Sequence, residues 1–198
     1  MRLRLLGFLA CLTLPWPALA EDAAPPAPAQ DIFSYSTLTV DHLREHSDYF
    51  GDSSQGYGAA LSYDFGDTYV FGQWNKLDFD KNPGHQTLEG IGVGAHQAYS
   101  TTTSFYIDLA FLHDQLSPQL DDRSDNYWRA SYGLRSKLTS MLELDAAIFT
   151  ERNTDFGRRP FGERLGAGLN FSFISLLAAV EHTNDGNRVQ FSLVWTYQ

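Results

Sequence analysis

The chain has 198 residues, 43% of them apolar and 19% charged, and its 24 Asp and Glu against 14 Lys and Arg set a formal net charge of −10. That balance excludes a nucleic-acid partner, because too few cations are available to neutralise phosphates. The single cysteine, Cys11, cannot form an intrachain disulfide, so an apolar core or closed backbone pairing must hold the fold.

In chain order, residues 1–20 read as a secretory signal peptide. Arg2 and Arg4 form the charged start, Leu3 to Leu14 the apolar core, and Ala18-Leu19-Ala20 a cleavage site before Glu21. Lipoprotein processing at Cys11 is the competing reading, but Phe8-Leu9-Ala10 is a poor approach to it; a retained helix is too short to span. Residues 21–31, with Pro25, Pro26 and Pro28, cannot bury apolar surface and read as a disordered periplasmic tether. Residues 32–198 read as one domain.

Within that domain, short segments carry an apolar residue at every second position. In the last of them Val189, Phe191, Leu193, Trp195 and Tyr197 fall on one face, while Arg188, Gln190, Ser192 and Thr196 fall on the other. The same stripe recurs in Tyr57, Ala59, Leu61, Tyr63; in Phe105, Ile107, Leu109, Phe111; and in Trp128, Ala130, Tyr132, Leu134. The pattern predicts strands over 33–43, 56–65, 68–77, 87–97, 102–113, 126–137, 140–151, 162–171, 174–183 and 188–198. Long polar gaps at 44–55, 78–86, 114–125 and 152–161 alternate with minimal ones, and Asn184-Asp185-Gly186-Asn187 suits a tight hairpin. The expected fold is all-β: a closed antiparallel transmembrane β-barrel of ten strands. An eight-stranded count is the alternative, because the first, third and fourth segments have weaker stripes.

A soluble exported barrel also alternates, so the polar face must decide between the two. That face carries Arg129, Ser131, Gly133 and Arg135 on one segment and Glu143 and Asp145 on the next. Small residues mixed with opposite charges suit a narrow, self-paired lumen better than a solvated exterior. Arg129 and Arg135 are therefore expected to pair with Glu143 and Asp145, and the closing-strand residues Val189, Phe191, Leu193, Trp195 and Tyr197 to face lipid. Gly90, Gly92 and Gly94 recur with period two, which is no phosphate loop; with Gly166 and Gly168 they are expected to leave room for bulky lumen neighbours.

Several motifs mimic chemistry without its context. His42-Leu43-Arg44-Glu45-His46 matches H-x-x-E-H, yet no helix pattern surrounds it, and it reads as a charged loop after the first strand. Asp78, Asp80, Asn82 and Glu89 have calcium-loop spacing, but Pro83 stands where glycine is required. His182 and Asn184 lack the serine of lipid A deacylases, and Glu181 and His182, adjacent on a strand, point to opposite faces, unlike the Asp-His pair of omptin-type proteases. No catalytic residue, cofactor or metal site is expected.

The succession Gly56-Tyr57-Gly58-Ala59-Ala60-Leu61-Ser62-Tyr63, then Tyr69-Val70-Phe71-Gly72, Ile91-Gly92-Val93-Gly94, Tyr127-Trp128-Arg129-Ala130 and the aromatic last strand resembles a family of small outer-membrane barrel proteins of Gram-negative proteobacteria. That resemblance implies links to biofilm, motility and proposed signalling, and no catalytic residues. The chain departs from the usual ending, since Gln198 follows Tyr197. The expected role is non-enzymatic, in structure, surface interaction or envelope adaptation, with a narrow solute channel or a lipid-modifying enzyme as alternatives. Expected partners are outer-membrane lipid, the barrel assembly machinery and lipopolysaccharide, the last contacted by Arg158 and Arg159 through charge-assisted bonds to phosphate; the barrel is expected to be monomeric.

Overall fold

The computed structural model describes residues 33–48, 51–117, 124–153 and 161–197. Ten strands follow one another: β1 (Thr37–Ser47), β2 (Asp52–Asp64), β3 (Thr68–Phe79), β4 (His85–Ala98), β5 (Thr103–Leu116), β6 (Ser124–Lys137), β7 (Leu142–Asn153), β8 (Phe161–Phe171), β9 (Ile174–Thr183) and β10 (Gly186–Thr196). Each pairs antiparallel with its sequence neighbours, and β1 pairs with β10 from Thr37↔Thr196 to Ser47↔Gly186, so the sheet closes into a barrel. Closure removes the unpaired edges that an open sheet would present.

Period-two alternation sorts the side chains by face. Leu38, Val40, Leu61, Val70, Ile91, Val93, Ile107, Leu109, Ile148, Leu165, Leu176 and Val180 are all exposed on the outside. Aromatic rings border this belt: Tyr63, Phe65, Tyr99, Phe173 and Trp195 towards one end, Tyr57, Trp74 and Trp128 towards the other. A continuous apolar belt with aromatic margins around a closed barrel is a surface matched to a bilayer, not to water.

The strand boundaries differ most from the sequence expectation in two places. The first strand begins at Thr37 rather than at residue 33, because Phe33 and Tyr35 turn into the barrel and are buried there. The polar stretch expected to be a loop over 44–55 is instead mostly paired, with β1 running to Ser47 and β2 starting at Asp52. Polar residues extend the ladder beyond the apolar belt, because backbone pairing does not require the side chains to face lipid. The contrast between long and short connections is correspondingly weaker for 48–51 and 80–84, but 117–123 and 154–160 at the same end stay longer than the turns 65–67, 99–102, 138–141 and 172–173.

Inside, large side chains lie over glycines directly opposite them. Phe71 faces Gly92 and Tyr69 faces Gly94 across β3–β4, Leu112 faces Gly90, Tyr106 faces Gly133, and Phe149 faces Gly162. A Cβ on Gly90, Gly92, Gly94, Gly133 or Gly162 would overlap its partner. These glycines are sockets, and the side chains filling them narrow the bore. Gly168 is a socket for Leu177, whereas a Cβ on Gly166 would meet only ordinary contacts at 3.4 Å or more.

Candidate functional site

The lumen holds the molecule's concentrated polar chemistry, in layers fixed by strand register. Near the loop end, Arg188 binds Glu45 with Nε at 2.9 Å and Nη2 at 2.7 Å from Oε2. Glu181 joins this layer, 3.9 Å from Arg188 Nη1 and 2.7 Å from Arg129 Nη2. Arg129 also lies 3.6 Å from Glu151, and its guanidinium sits 3.7 Å from the centre of the Phe149 ring. Carboxylates and guanidiniums thus alternate across strands that are distant in sequence, leaving little unpaired charge in a confined space.

Near the turn end, Arg135 binds Glu143 with Nε and Nη2 both at 2.8 Å. Asn170 Nδ2 donates to the other Glu143 oxygen at 3.2 Å, and Ser175 Oγ donates to Asn170 at 2.6 Å. Residues 33–36 close this end. The Tyr35 ring stacks on His96 at 4.0 Å and on Tyr69 at 4.8 Å, and Arg135 lies 4.6 Å from the Phe33 ring centre. The backbone is tied down as well: Ser62 Oγ donates to the Tyr35 carbonyl at 2.5 Å, and the Tyr197 amide donates to the Ser36 carbonyl at 3.1 Å.

Between these layers lies a cavity of about 320 Å³. Tyr106 Oη donates to Asp145 Oδ2 at 3.0 Å, Tyr69 Oη donates to Asp108, and Arg164 Nε stands 3.7 Å from Asp145 Oδ1. Asp41 also lines the cavity and is 6% exposed.

All four charges expected to share the lumen do line it, but not with the expected partners throughout. Arg135 pairs with Glu143. Arg129 does not reach Glu143 or Asp145; its register partner is Glu151, and its closest carboxylate is Glu181 on β9. Arg129 lies six residues before Arg135 on β6, so Glu143 and Asp145, which register with Lys137 and Arg135, are beyond its reach, and it meets Glu151 further along β7 and Glu181 on β9 instead. Arg164, Glu181, Arg188 and Glu45 were not singled out as lumen groups, although all lie at the inward parity of their strands; pairing between β1, β8, β9 and β10 is what assembles them. Of the closing-strand residues, Phe191, Leu193 and Trp195 are exposed on the outside, and Val189 and Tyr197 are half-buried there. Arg158, Arg159, the signal segment 1–20 and the tether 21–31 lie outside the described residues.

The motif mimics resolve by face. His42 and His46 point outward while Glu45 points into the lumen, because the segment is a strand rather than the expected loop. Glu181 pairs with Arg129 inside, whereas the exposed His182 contacts Asn187 at 2.5 Å outside. Among the described residues no group of three or more His, Cys, Asp or Glu is placed to hold a metal ion.

At the loop end, beyond the outer aromatic row, Asp52 latches the connection 80–84. It accepts from the amides of Ser53 at 2.8 Å, Lys81 at 3.1 Å and Asn82 at 3.2 Å, and from Asn82 Nδ2 at 2.9 Å. Burial pushes its carboxyl up, but these donors outweigh burial and hold the group below the ordinary value of 3.8.

No family model and no curated relative matches the chain. Among solved structures it is similar to a KdgM porin (9% identity, 81% of this chain and 99% of that one, TM-score 0.43). It is also similar to Neisserial surface protein A (14% identity, 81% and 95%, TM-score 0.39). A third likeness is to an outer membrane channel from Pseudomonas putida F1 (10% identity, 88% and 100%, TM-score 0.46).

Proposed function

We propose that the protein is a non-enzymatic barrel of the Gram-negative outer membrane with a structural, surface-interaction or envelope-adaptation role. The observation that carries this reading is the apolar belt around a lumen closed by two ion-pair layers and by the inserted segment 33–36. General diffusion needs an open bore, and this one is crossed by ion pairs and rings on both sides of its central cavity. The orientation that follows puts the short turns in the periplasm and the loop end outside.

Reconstitution into planar bilayers tests the proposal. The expected result is no sustained conductance from the unmodified protein; steady open-channel current would favour the second reading, a narrow solute channel, for which the central cavity speaks. We assign the outer surface contacts to lipopolysaccharide through Arg158 and Arg159, with the barrel acting as a monomer delivered by the assembly machinery. Replacing both arginines by Ala should lower co-purified lipopolysaccharide without altering heat-dependent gel mobility. If retention is unchanged across a salt series, these arginines are not the contact.

A further inference from the structure

Most of the charge lining the central cavity is accounted for. Arg135 has Glu143, Arg129 and Arg188 share Glu181, and Arg164 stands beside Asp145. Asp108 accepts the Tyr69 hydroxyl. Asp145 Oδ1 and Arg164 Nε make no hydrogen bond, but at 3.7 Å they face each other and need only a small shift to meet. Asp41 is the remainder. Its Oδ1 is buried without a hydrogen-bond partner, and no cation among the described residues lies within ion-pair distance of it. Arg164 senses its field, but Arg164's ion-pair partner is Asp145.

An isolated carboxylate in a confined lumen is costly unless a positive charge joins it. No side chain among the described residues forms an ion pair with Asp41, and the cavity has space for a cation: about 320 Å³ is room for roughly ten waters at about 30 Å³ each. Register places Ser192 of β10 and Gly58 of β2 opposite Asp41, giving on one side a hydroxyl that accepts from Gln190 Nε2 at 3.2 Å and on the other a glycine over which the Asn75 side chain lies. A divalent ion would demand several carboxylates at ligand distance, and the described residues offer no such group. One carboxylate oxygen, a hydroxyl and retained water suit a weakly dehydrated monovalent ion.

We propose that the lumen contains a binding site for a monovalent alkali cation, centred on the unpartnered carboxylate of Asp41 between β10 and β2. The site rests on the closed barrel and does not depend on whether the lumen conducts.

The test uses the full mature barrel in detergent micelles, with backbone amide shifts followed during titration by potassium chloride against N-methylglucamine chloride at constant ionic strength. Saturable shifts at Asp41 and Ser192 with potassium alone are expected. Asp41→Asn should weaken them at least about tenfold, whereas Asp108→Asn should keep them saturable. Linear shifts, equal shifts with the bulky organic cation, or an Asp41→Asn titration like the parent's would each overturn the site. Should Asp41→Asn fail to fold, crystals of the unmodified protein soaked in thallium(I) acetate decide the matter. An anomalous peak at ligand distance from Asp41 Oδ1 supports the site, and its absence refutes it.

Discussion

At the scale of single residues, the barrel depends on pairing a ring with a missing side chain. Tyr106 lies over Gly133 and donates its hydroxyl to Asp145, so the socket positions a hydrogen bond as well as filling space. Gly133→Val should therefore destabilise the barrel by about 1–3 kcal/mol through overpacking, read as a lower urea midpoint in vesicles. Gly166→Ala, which meets only ordinary contacts, should be close to neutral. Asp52 makes a prediction about pH. Its carboxyl is held below 3.8 in the folded protein, so the stabilisation it gives is present above that value and is lost as pH falls through the lower folded value. Exchange protection of the Lys81 and Asn82 amides should drop under acid conditions. In Asp52→Ala protection should already be low at neutral pH, and a parent-like profile there would remove Asp52 as the latch.

At the scale of elements, β10 shows how neighbours set depth. Leu193 lies between Val40 and Leu176, both exposed and aliphatic, whereas Phe191 lies between His42 and Ala178. Leu193→Arg should cost about 2–4 kcal/mol, the penalty for a cation near mid-membrane. Phe191→Arg should cost less, since His42 already brings a polar group to its side. Gln190→Arg, on the lumen face, should be the mildest of the three. Folding yield into bilayers, followed by heat-modified gel mobility, ranks them; an equal loss for Gln190→Arg and Leu193→Arg would reverse the assignment of faces.

At the scale of the whole molecule, the two lumen arginines on β6 belong to different closures. Arg129→Ala strips Glu181 and Glu151 of a partner, and Arg135→Ala strips Glu143. Each should destabilise by about 3 kcal/mol or more, because a buried charge is left uncompensated. Neither alone opens the bore, since the other layer persists; the double variant should show bilayer current more readily than either single one. Current from Arg129→Ala alone would mean that the turn end is not sealed by residues 33–36.

Alternation by itself located the strands and sorted their two faces, with ten as the expected count and eight as the alternative, because side chains on a strand must alternate; closure in the structure decides for ten. Val189 to Tyr197 shows this most plainly, as five apolar residues alternate with Gln190, Ser192, Val194 and Thr196 after Arg188. The glycines at 90, 92 and 94 were likewise legible as lumen positions, but not the side chains that fill them, since Phe71 and Tyr69 come from β3 and Leu112 from β5 through register. Partners were the part that only tertiary structure decided. Arg129 meets Glu181, 52 positions along the chain, and Glu45 meets Arg188, 143 positions away, because closure of β1 on β10 carries the ends of the chain together. The inward turn of Phe33 and Tyr35 was hidden for the same reason. Their spacing of two looks like a further rung of β1, but their apolar phase is opposite to that of the outward Leu38 and Val40, and the rings of Tyr69 and His96 and the guanidinium of Arg135 receive them inside the lumen.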